Sequence, residues 1–167
     1  KPSIVPSDLR RLVEEAVRVT TSALRRPGIR IITEVSPEAE TVQTDPGLLR
    51  QILINLLTNA IDATSAQQAD AGGPSTGRIF VSAKAVEDRI VLAVRDEGTG
   101  IPGEDLQRIF EPFYTTKGRG RGTGLGLSIC RELTRSLGGK ITVESSPGHG
   151  SIFALHLPRV PQIKQAA

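Results

Sequence analysis

Three oxygen-bearing side chains, Asn55, Asn59 and Asp62, recur at helical spacing within the segment 45–66. At about 100° per residue they fall within an arc of roughly 60°. Short oxygen-bearing side chains on one helix face could coordinate a hard cation such as Mg²⁺ together with phosphate oxygens. A solvated polar face is the alternative, although asparagine favours a helix less than lysine, glutamate or glutamine would. This segment alone leaves both interpretations open.

A second candidate site lies where the apolar run "VLAVRD" ends, because Asp96 is followed there by Gly98 and Gly100. The stretch "GTGIPG" matches the G-x-G-x-x-G dinucleotide pattern. We reject that match because Pro102 lies inside it and no acidic strand end follows about 20 residues later. A carboxylate only accepts hydrogen bonds, so Asp96 suits the amino group of adenine and disfavours the carbonyl of guanine. The glycines would let the backbone pack against the purine; a simple Asp-Gly turn is the alternative.

A glycine-rich stretch, "GRGRGTGLG", covers residues 118–126 directly before a predicted helix. Glycine loses much conformational freedom on ordering, so a dense run indicates unusual backbone angles or the close approach of another group. A phosphate-binding loop, an RNA-binding RG segment and a plain linker are the candidates. Successive N–H groups without Cβ atoms could converge on phosphate oxygens beside the positive end of the following helix. The sequence has no Walker A lysine motif, which excludes a P-loop enzyme.

These groups must be positioned by an α+β fold, because the predicted helices are segregated from mostly antiparallel strands. We expect a two-layer sandwich in which a mixed, mainly antiparallel sheet packs on three helices. The helix 45–66 has Asp45 as its N-cap and Pro46 in its first turn. Its apolar stripe, which should face the sheet, consists of Leu49, Ile52, Leu53, Leu56, Leu57, Ala60 and Ile61. The other predicted elements are helices 7–26, 103–110 and 125–139, strands 29–35 and 40–44, hairpins 78–96 and 140–158, a mobile polar connection 67–77 and a loop 110–122.

The composition fits one domain of 167 residues that is 38% hydrophobic. A net charge of +3 does not demand nucleic-acid binding. The single cysteine, Cys130, excludes a disulfide framework, favours a reducing compartment and should be buried on the core side of its helix. The sequence shows no signal peptide and no apolar run near the ~20 residues needed to cross a bilayer. The absence of methionine indicates a fragment of something longer.

Five segments, in order and at the right spacing, resemble the sequence boxes of sensor histidine kinases. These are "NLLTNAIDA" for the N box, "DEGTGIP" for the first glycine box, "IFEPFYTTK" for the F box, "GTGLGLSI" for the second glycine box and "GHGSIFALHLP" for the closing strand. The resemblance is to the catalytic, ATP-binding domain of the GHKL superfamily, which includes gyrase, the large heat-shock chaperones and the mismatch-repair ATPases. The "FYTTK" variant is similar to that of nitrogen-regulatory and oxygen-sensing histidine kinases. The resemblance implies one catalytic domain over 1–167, with a linker end at 1–6, a mobile ATP lid at 110–122 and a tail at 159–167.

The resemblance implies ATP, with ADP as its product, and Mg²⁺ as cofactors. It makes Asn55, Asn59 and Lys117 the catalytic set, with Asn59 as the Mg²⁺ ligand. The implied nucleotide-binding set is Asn55, Asn59, Asp62, Asp96, Gly98, Gly100, Ile101, Thr116, Lys117, Arg121, Gly122, Thr123, Gly124, Leu125, Gly126 and Ser151, with Arg119 adding positive charge.

Three positions depart from the family's usual pattern. Asp62 and Ala63 stand where many members carry a lysine and then an aromatic residue, and Ser151 stands where relatives often have threonine. Asp62 would therefore act through water, a metal ion or the basic lid, and Ala63 offers adenine no ring.

The implied reaction is transfer of the γ-phosphate to a histidine. In hydrolysing relatives a glutamate lies one turn before the Mg²⁺ asparagine, whereas here that position is Asn55, which cannot act as a base. In the kinases the acceptor lies on a separate dimeric helical domain, which would precede Lys1, and a response regulator acts downstream. We expect a monomeric, cytoplasmic fragment without a nucleic-acid partner, from a parent that could be membrane-anchored. A serine-directed anti-sigma-type kinase and a non-catalytic, nucleotide-dependent interaction module remain alternatives.

Overall fold

The computed structural model describes residues 1–72, 76–118 and 122–159. The strands are β1 Val5–Asp8, β2 Ile29–Val35, β3 Thr41–Thr44, β4 Gly77–Val86, β5 Arg89–Asp96, β6 Lys140–Ser145 and β7 Ser151–Pro158. The helices are α1 Leu9–Leu24, α2 Pro46–Ala71 and α3 Gly126–Ser136, with a short 3-10 turn at Pro37–Ala39.

Five strands form a mixed sheet in the order β2-β4-β5-β7-β6. Strand β2 pairs with β4 in parallel, and the neighbours that follow pair antiparallel. Helix α2 packs on β4 and β5, α3 packs on β6 and on α2, and α1 packs on α2. The predicted α+β two-layer sandwich is therefore confirmed. Among the described helices, none is both long and apolar enough to cross a bilayer.

Helix α2 is held by the local signals that predicted it. The Asp45 carboxylate accepts hydrogen bonds from the N–H groups of Gly47 and Leu48 at 3.0 and 3.1 Å, and backbone N–H donors, that of Ser3 foremost, lower its pKa. The whole predicted apolar stripe is buried, at no more than 3% exposure. Because that stripe faces the sheet, the polar face of α2 is left for the site.

Helix α2 runs to Ala71, so residues 67–71 of the predicted connection are helical. Glutamine and alanine favour a helix, and α2 continues until Gly72, whose φ of +63° supplies the left-handed residue that ends it. Residues 73–75 of that connection lie outside the described part of the chain.

The predicted short helix 103–110 is wrong, because the segment forms consecutive turns. The N–H groups of Leu106 and Arg108 donate to the carbonyl groups three residues before them. Gly103 weakens a helix at its start, and the α-helical bond from the N–H of Ile109 to the carbonyl of Asp105 at 3.0 Å does not extend into a helix. Ile109 and Phe110 are buried at the end of the segment, so packing helps to fix it. Helix α3 is also shorter than predicted, and Cys130 is fully buried in it, as expected.

The chain start forms strand β1, which the sequence did not indicate. Val5–Asp8 pairs antiparallel with β3, so residues 5 and 6 of the predicted linker belong to a strand. Four residues that include a proline carry no strand pattern, and Pro6 is tolerated here because the pair has no further neighbour in the described chain. At the other end, the N–H of Arg159 donates to the carbonyl of Asp88 at 2.8 Å. The rest of the predicted tail, 160–167, lies outside the described residues.

Candidate functional site

A cavity of about 1060 Å³ lies between the polar face of α2, the end of β5 and the loop before α3. Its volume is at the upper end for small-molecule sites, which run to about 1,000 Å³. It brings together most of the predicted nucleotide-binding set: Asn55, Asn59, Asp62, Asp96, Gly100, Ile101, Thr116, Lys117, Gly122, Thr123, Gly124, Gly126 and Ser151. Of the described predicted residues, Gly98 and Leu125 do not line it, and Arg121, like Arg119, lies outside the described residues.

Asp96 is a buried residue of the cavity lining, with 4% of its surface exposed. Its Oδ1 accepts a hydrogen bond from the N–H of Gly98 at 2.8 Å, and the backbone N–H of Ser151, its cross-strand partner, also donates to the carboxylate. Burial nevertheless raises the pKa of Asp96 to about 6. The carboxylate is thus a rigid acceptor in a poorly solvated place, as recognition of an amino group requires.

The raised pKa of Asp96 predicts a pH-dependent stability. Between about 3.8 and 6 the native chain binds a proton that the unfolded chain releases, so this contribution is present below the unfolded value and is lost as pH rises through about 6. Compared with Asp96→Asn, the wild-type free energy of unfolding should therefore fall by roughly 2 kcal/mol between pH 4 and 7.5. Urea unfolding of both proteins across this range measures it. A constant difference would show that Asp96 has an ordinary pKa.

Gly98 and Gly100 are both required by the packing of the protein itself, and their contact with a purine stays a prediction. A Cβ on Gly98 would lie 2.7 Å from Cβ of Ala63 on α2 and 2.7 Å from Oδ1 of Asp96. Gly100 has a φ of +71°, and a Cβ there would overlap the carbonyl of Ser146. Because these two glycines have no Cβ, the end of β5 can pack closely against α2 and against the β6–β7 turn. This close packing fixes the position of Asp96.

Lys117 brings the loop before α3 onto the polar face of α2. Its Nζ lies 2.6 Å from Oδ2 of Asp62 and 3.5 Å from Oδ1 of Asn59. About a third of each side chain in the ion pair is exposed, at 35% for Lys117 and 31% for Asp62. An ammonium group thus lies beside the two helix oxygens that were predicted to attract a cation. The expectation that Asp62 acts through the basic lid agrees with this contact.

The glycine-rich loop meets α3 at the cavity wall. The N–H of Phe113 donates to the carbonyl of Gly124 at 2.9 Å, and Gly124, with a φ of +69°, leaves no room for a Cβ against Phe113. Helix α3 begins at Gly126 without a side-chain cap, so its first N–H groups remain available to a ligand. The described part of the lid segment 110–122 contains no helix or strand, and its mobility stays a prediction.

Several lining residues escaped the sequence analysis, among them Arg26, Thr58 and Tyr114. The hydroxyl of Tyr114 donates to Oδ1 of Asp105 at 2.5 Å, which raises the pKa of the phenol, and the guanidinium of Arg108 lies 4.4 Å from the ring centre. Tyr114 lies within the quoted F box, which was the signal available. No sequence signal indicated that Arg26 lines the cavity, because the tertiary fold is what brings the α1–β2 connection to α2.

The donor set fits a cation held mainly by amide and phosphate oxygens. Within the described ranges, no three His, Cys, Asp or Glu side chains come together as ligands for a metal ion. Asn55 and Asn59 supply neutral oxygens, and Asp62 supplies the nearby charge. A hard ion that shares phosphate oxygens suits such a set better than a metal that needs a full protein cage.

The comparisons with known proteins agree with this geometry. Residues 44–161 match the family described as histidine kinase-, DNA gyrase B-, and HSP90-like ATPase. The C4-dicarboxylate transport sensor protein DctB of Pseudomonas aeruginosa is 36% identical over 152 residues, which are 90% of this chain and 24% of DctB. The chain spans less than a third of the length of the curated relatives it matches.

Solved structures match nearly the whole fold. The nucleotide-free catalytic domain of histidine kinase ThkA has a TM-score of 0.79 at 32% identity, covering 96% of this chain and 98% of that domain. Full-length ShkA in complex with AMPPNP has a TM-score of 0.80 at 29% identity, covering 96% of this chain and 32% of ShkA. ThkA in complex with the response regulator TrrA has a TM-score of 0.76 at 30% identity, covering 96% of this chain and 43% of that one. Since the family match spans α2, β5 and α3, from which the cavity is built, the chain belongs to the family of histidine kinase-, DNA gyrase B- and HSP90-like ATPases.

Proposed function

We propose that this chain is the ATP-binding catalytic domain of a sensor histidine kinase, which transfers the γ-phosphate of Mg-ATP to a histidine on a separate helical domain. The observation that carries the proposal is one cavity lined by two chemically different groups. One is the buried carboxylate of Asp96, and the other is the ammonium of Lys117, which lies 3.5 Å from the amide oxygen of Asn59. The two parts of ATP match these two groups, because adenine presents a neutral amino group that can donate to the carboxylate and the polyphosphate carries negative charge that attracts the ammonium.

The nucleotide would lie with its base on Asp96 and its phosphates along α2. The exocyclic amine of adenine donates to the carboxylate, whereas guanine presents a carbonyl there. The phosphates would meet hydrogen-bond donors and positive potential, which are offered by the side chains of Asn55, Asn59 and Lys117 and by the uncapped start of α3. The complex of ShkA with AMPPNP, an ATP analogue, supports a nucleotide in this fold.

Asn59 would hold the Mg²⁺ ion, with Asn55 and Asp62 beside it. Bound Mg²⁺ would supply neutralisation of the phosphate charge. The residues of the chain supply position: Lys117 already places an ammonium 3.5 Å from the Asn59 amide oxygen, so the same oxygens attract positive charge in the free protein.

Phosphate transfer is favoured over hydrolysis because none of the described residues that line the cavity offers a free base near the proposed phosphate position. Among the described lining residues, the carboxylates are Asp62 and Asp96. Asp62 is paired with Lys117, and Asp96 is the buried carboxylate proposed to accept from the adenine amine. Asn55, one turn before Asn59, cannot take a proton from water. Positioning and charge neutralisation are then the main catalytic means, as phosphoryl transfer allows.

The finer assignments extend this proposal. The stretch "FYTTK" supports a kinase of the nitrogen-regulatory or oxygen-sensing type. The complex of ThkA with TrrA supports a response regulator as the downstream partner. We further propose a single catalytic domain with its lid at 110–122, monomeric by itself, acting in the cytoplasm without a nucleic-acid partner.

Radiolabelled ATP tests the proposal directly. Alone with Mg²⁺, the chain should not label itself on histidine, because His149 lies in a turn and His156 lies on β7 with Nε2 3.0 Å from the Thr142 hydroxyl. With the helical domain of its parent kinase added, acid-labile label should appear on that partner. The matched control is the same helical domain with its acceptor histidine replaced by glutamine, which should stay unlabelled.

Other outcomes would contradict the proposal in distinct ways. Acid-labile label on the isolated chain would overturn the division between catalytic and acceptor domains. Acid-stable label on a serine of a partner would indicate an anti-sigma-type kinase. Nucleotide binding without any transfer would indicate an interaction module.

A further inference from the structure

Resting on the nucleotide site proposed above, we infer that Asp62 is a positioning residue that holds Lys117 in the phosphate site, and is not itself a ligand of nucleotide or metal. The chain would thereby carry on its loop the positive charge that many relatives carry as a lysine on the helix. The geometry that points to this is the ion pair between Oδ2 of Asp62 and Nζ of Lys117 at 2.6 Å.

The two partners differ in how firmly each is held. Asp62 projects from the middle of α2, whose opposite face is the buried core, so its position is fixed. Lys117 belongs to a loop and is held there by contacts within the loop itself. Its N–H donates to the Thr115 hydroxyl at 3.1 Å, and its side chain packs beside Gly122, where a Cβ would lie 3.2 Å from its Cδ. The helix carboxylate is therefore the anchor, and the loop lysine is the group that it places.

The charges give Asp62 two opposite effects. Beside Lys117 it fixes an ammonium 3.5 Å from the Asn59 amide oxygen, where phosphate charge would gather. Without Lys117 it would be an unpaired carboxylate that faces a polyphosphate and repels it. The sign of the Asp62 contribution to nucleotide binding should therefore depend on whether Lys117 is present.

A direct metal ligand would behave differently. If Asp62 coordinated Mg²⁺, its removal would weaken Mg-nucleotide binding whether or not Lys117 were present. A merely structural Asp62 would affect unfolding and leave no reversal in binding. Sign reversal is thus the readout that separates positioning from both alternatives.

Calorimetric titration with Mg-AMPPNP of the wild type, Asp62→Asn, Lys117→Ala and the double variant tests the inference. We expect Asp62→Asn to weaken binding about two- to fivefold and Lys117→Ala about tenfold or more. In the Lys117→Ala background, Asp62→Asn should instead strengthen binding about threefold or more. Because each side chain is about a third exposed, at 31% and 35%, all four proteins should fold, which thermal unfolding checks.

The matched control is an ion pair of similar length away from the cavity, Arg10 with Glu40 at 2.7 Å. Arg10→Ala, Glu40→Gln and their double variant should leave Mg-AMPPNP affinity unchanged. Asp62→Asn that weakens binding equally with and without Lys117 would overturn the inference in favour of a metal ligand, and no effect in either background would overturn it as well. A wild-type chain that does not bind Mg-AMPPNP would contradict the proposed function itself, so the two failures are distinguishable.

Discussion

Asp96→Asn is expected to remove most adenine recognition, at a cost of about 1–3 kcal/mol or roughly five- to 150-fold in affinity for Mg-ADP. The asparagine amide would present donors where the amino group of adenine needs an acceptor. Because Asp96 is only 4% exposed, water cannot repair the mismatch, and the effect should lie toward the upper end. Calorimetry with Mg-ADP and Mg-GDP measures both affinity and base preference.

Glu97→Gln is the matched control for this substitution. Glu97 is the next residue and undergoes the same change from carboxylate to amide, but it pairs with Arg78 at 2.7 Å and does not line the cavity. Its affinity for Mg-ADP should equal that of the wild type. If Asp96→Asn bound Mg-ADP with unchanged affinity and bound Mg-GDP equally well, Asp96 would have a structural role in the turn and no role in base recognition.

The burial of Asp96 has opposite consequences for stability and for binding. Keeping a carboxylate ionised at neutral pH with its pKa raised to about 6 destabilises the native fold. The same burial makes the carboxylate a well-defined acceptor that solvent does not compete for. A strongly perturbed carboxyl group in a cavity is typical of a functional site.

The sequence predicted those parts of the structure that depend on local signals. The Asp45 cap and the apolar stripe of α2 follow from capping chemistry and helical period, and both are present in the structure. The same period placed Asn55, Asn59 and Asp62 on one polar face, which the cavity confirms. The Asp96 site followed from a strand that ends in an acidic residue.

Features that depend on tertiary contacts could not be predicted. The Lys117–Asp62 pair joins residues 55 positions apart, and no local pattern shows that contact. The tight fit of Gly98 against Ala63 likewise depends on how β5 meets α2. Strand β1 was missed because its regularity comes from pairing with β3 rather than from its own residues.

Asn59→Ala is expected to remove the Mg²⁺-dependent part of ATP affinity and to reduce phosphotransfer by about 10² or more, while the fold stays intact. The side chain of Asn59 lies on the polar face of α2, away from the buried stripe, so its truncation leaves no core cavity. The measurements are ATP titrations with and without Mg²⁺, and transfer of label to the parent helical domain. In the variant, added Mg²⁺ should no longer strengthen ATP binding.

Gln51→Ala provides the control for Asn59→Ala on the same helix. Gln51 is exposed on α2 and does not line the cavity, so the same truncation should leave both Mg²⁺ dependence and transfer unchanged. A fall in thermal stability specific to Asn59→Ala, with normal nucleotide binding after refolding, would instead make the polar face of α2 a structural feature. Asn59 and Asp96 line one cavity. If Asn59→Ala loses its Mg²⁺ dependence but keeps its preference for adenine, the residue proposed to bind the metal and phosphates acts separately from the residue proposed to bind the base.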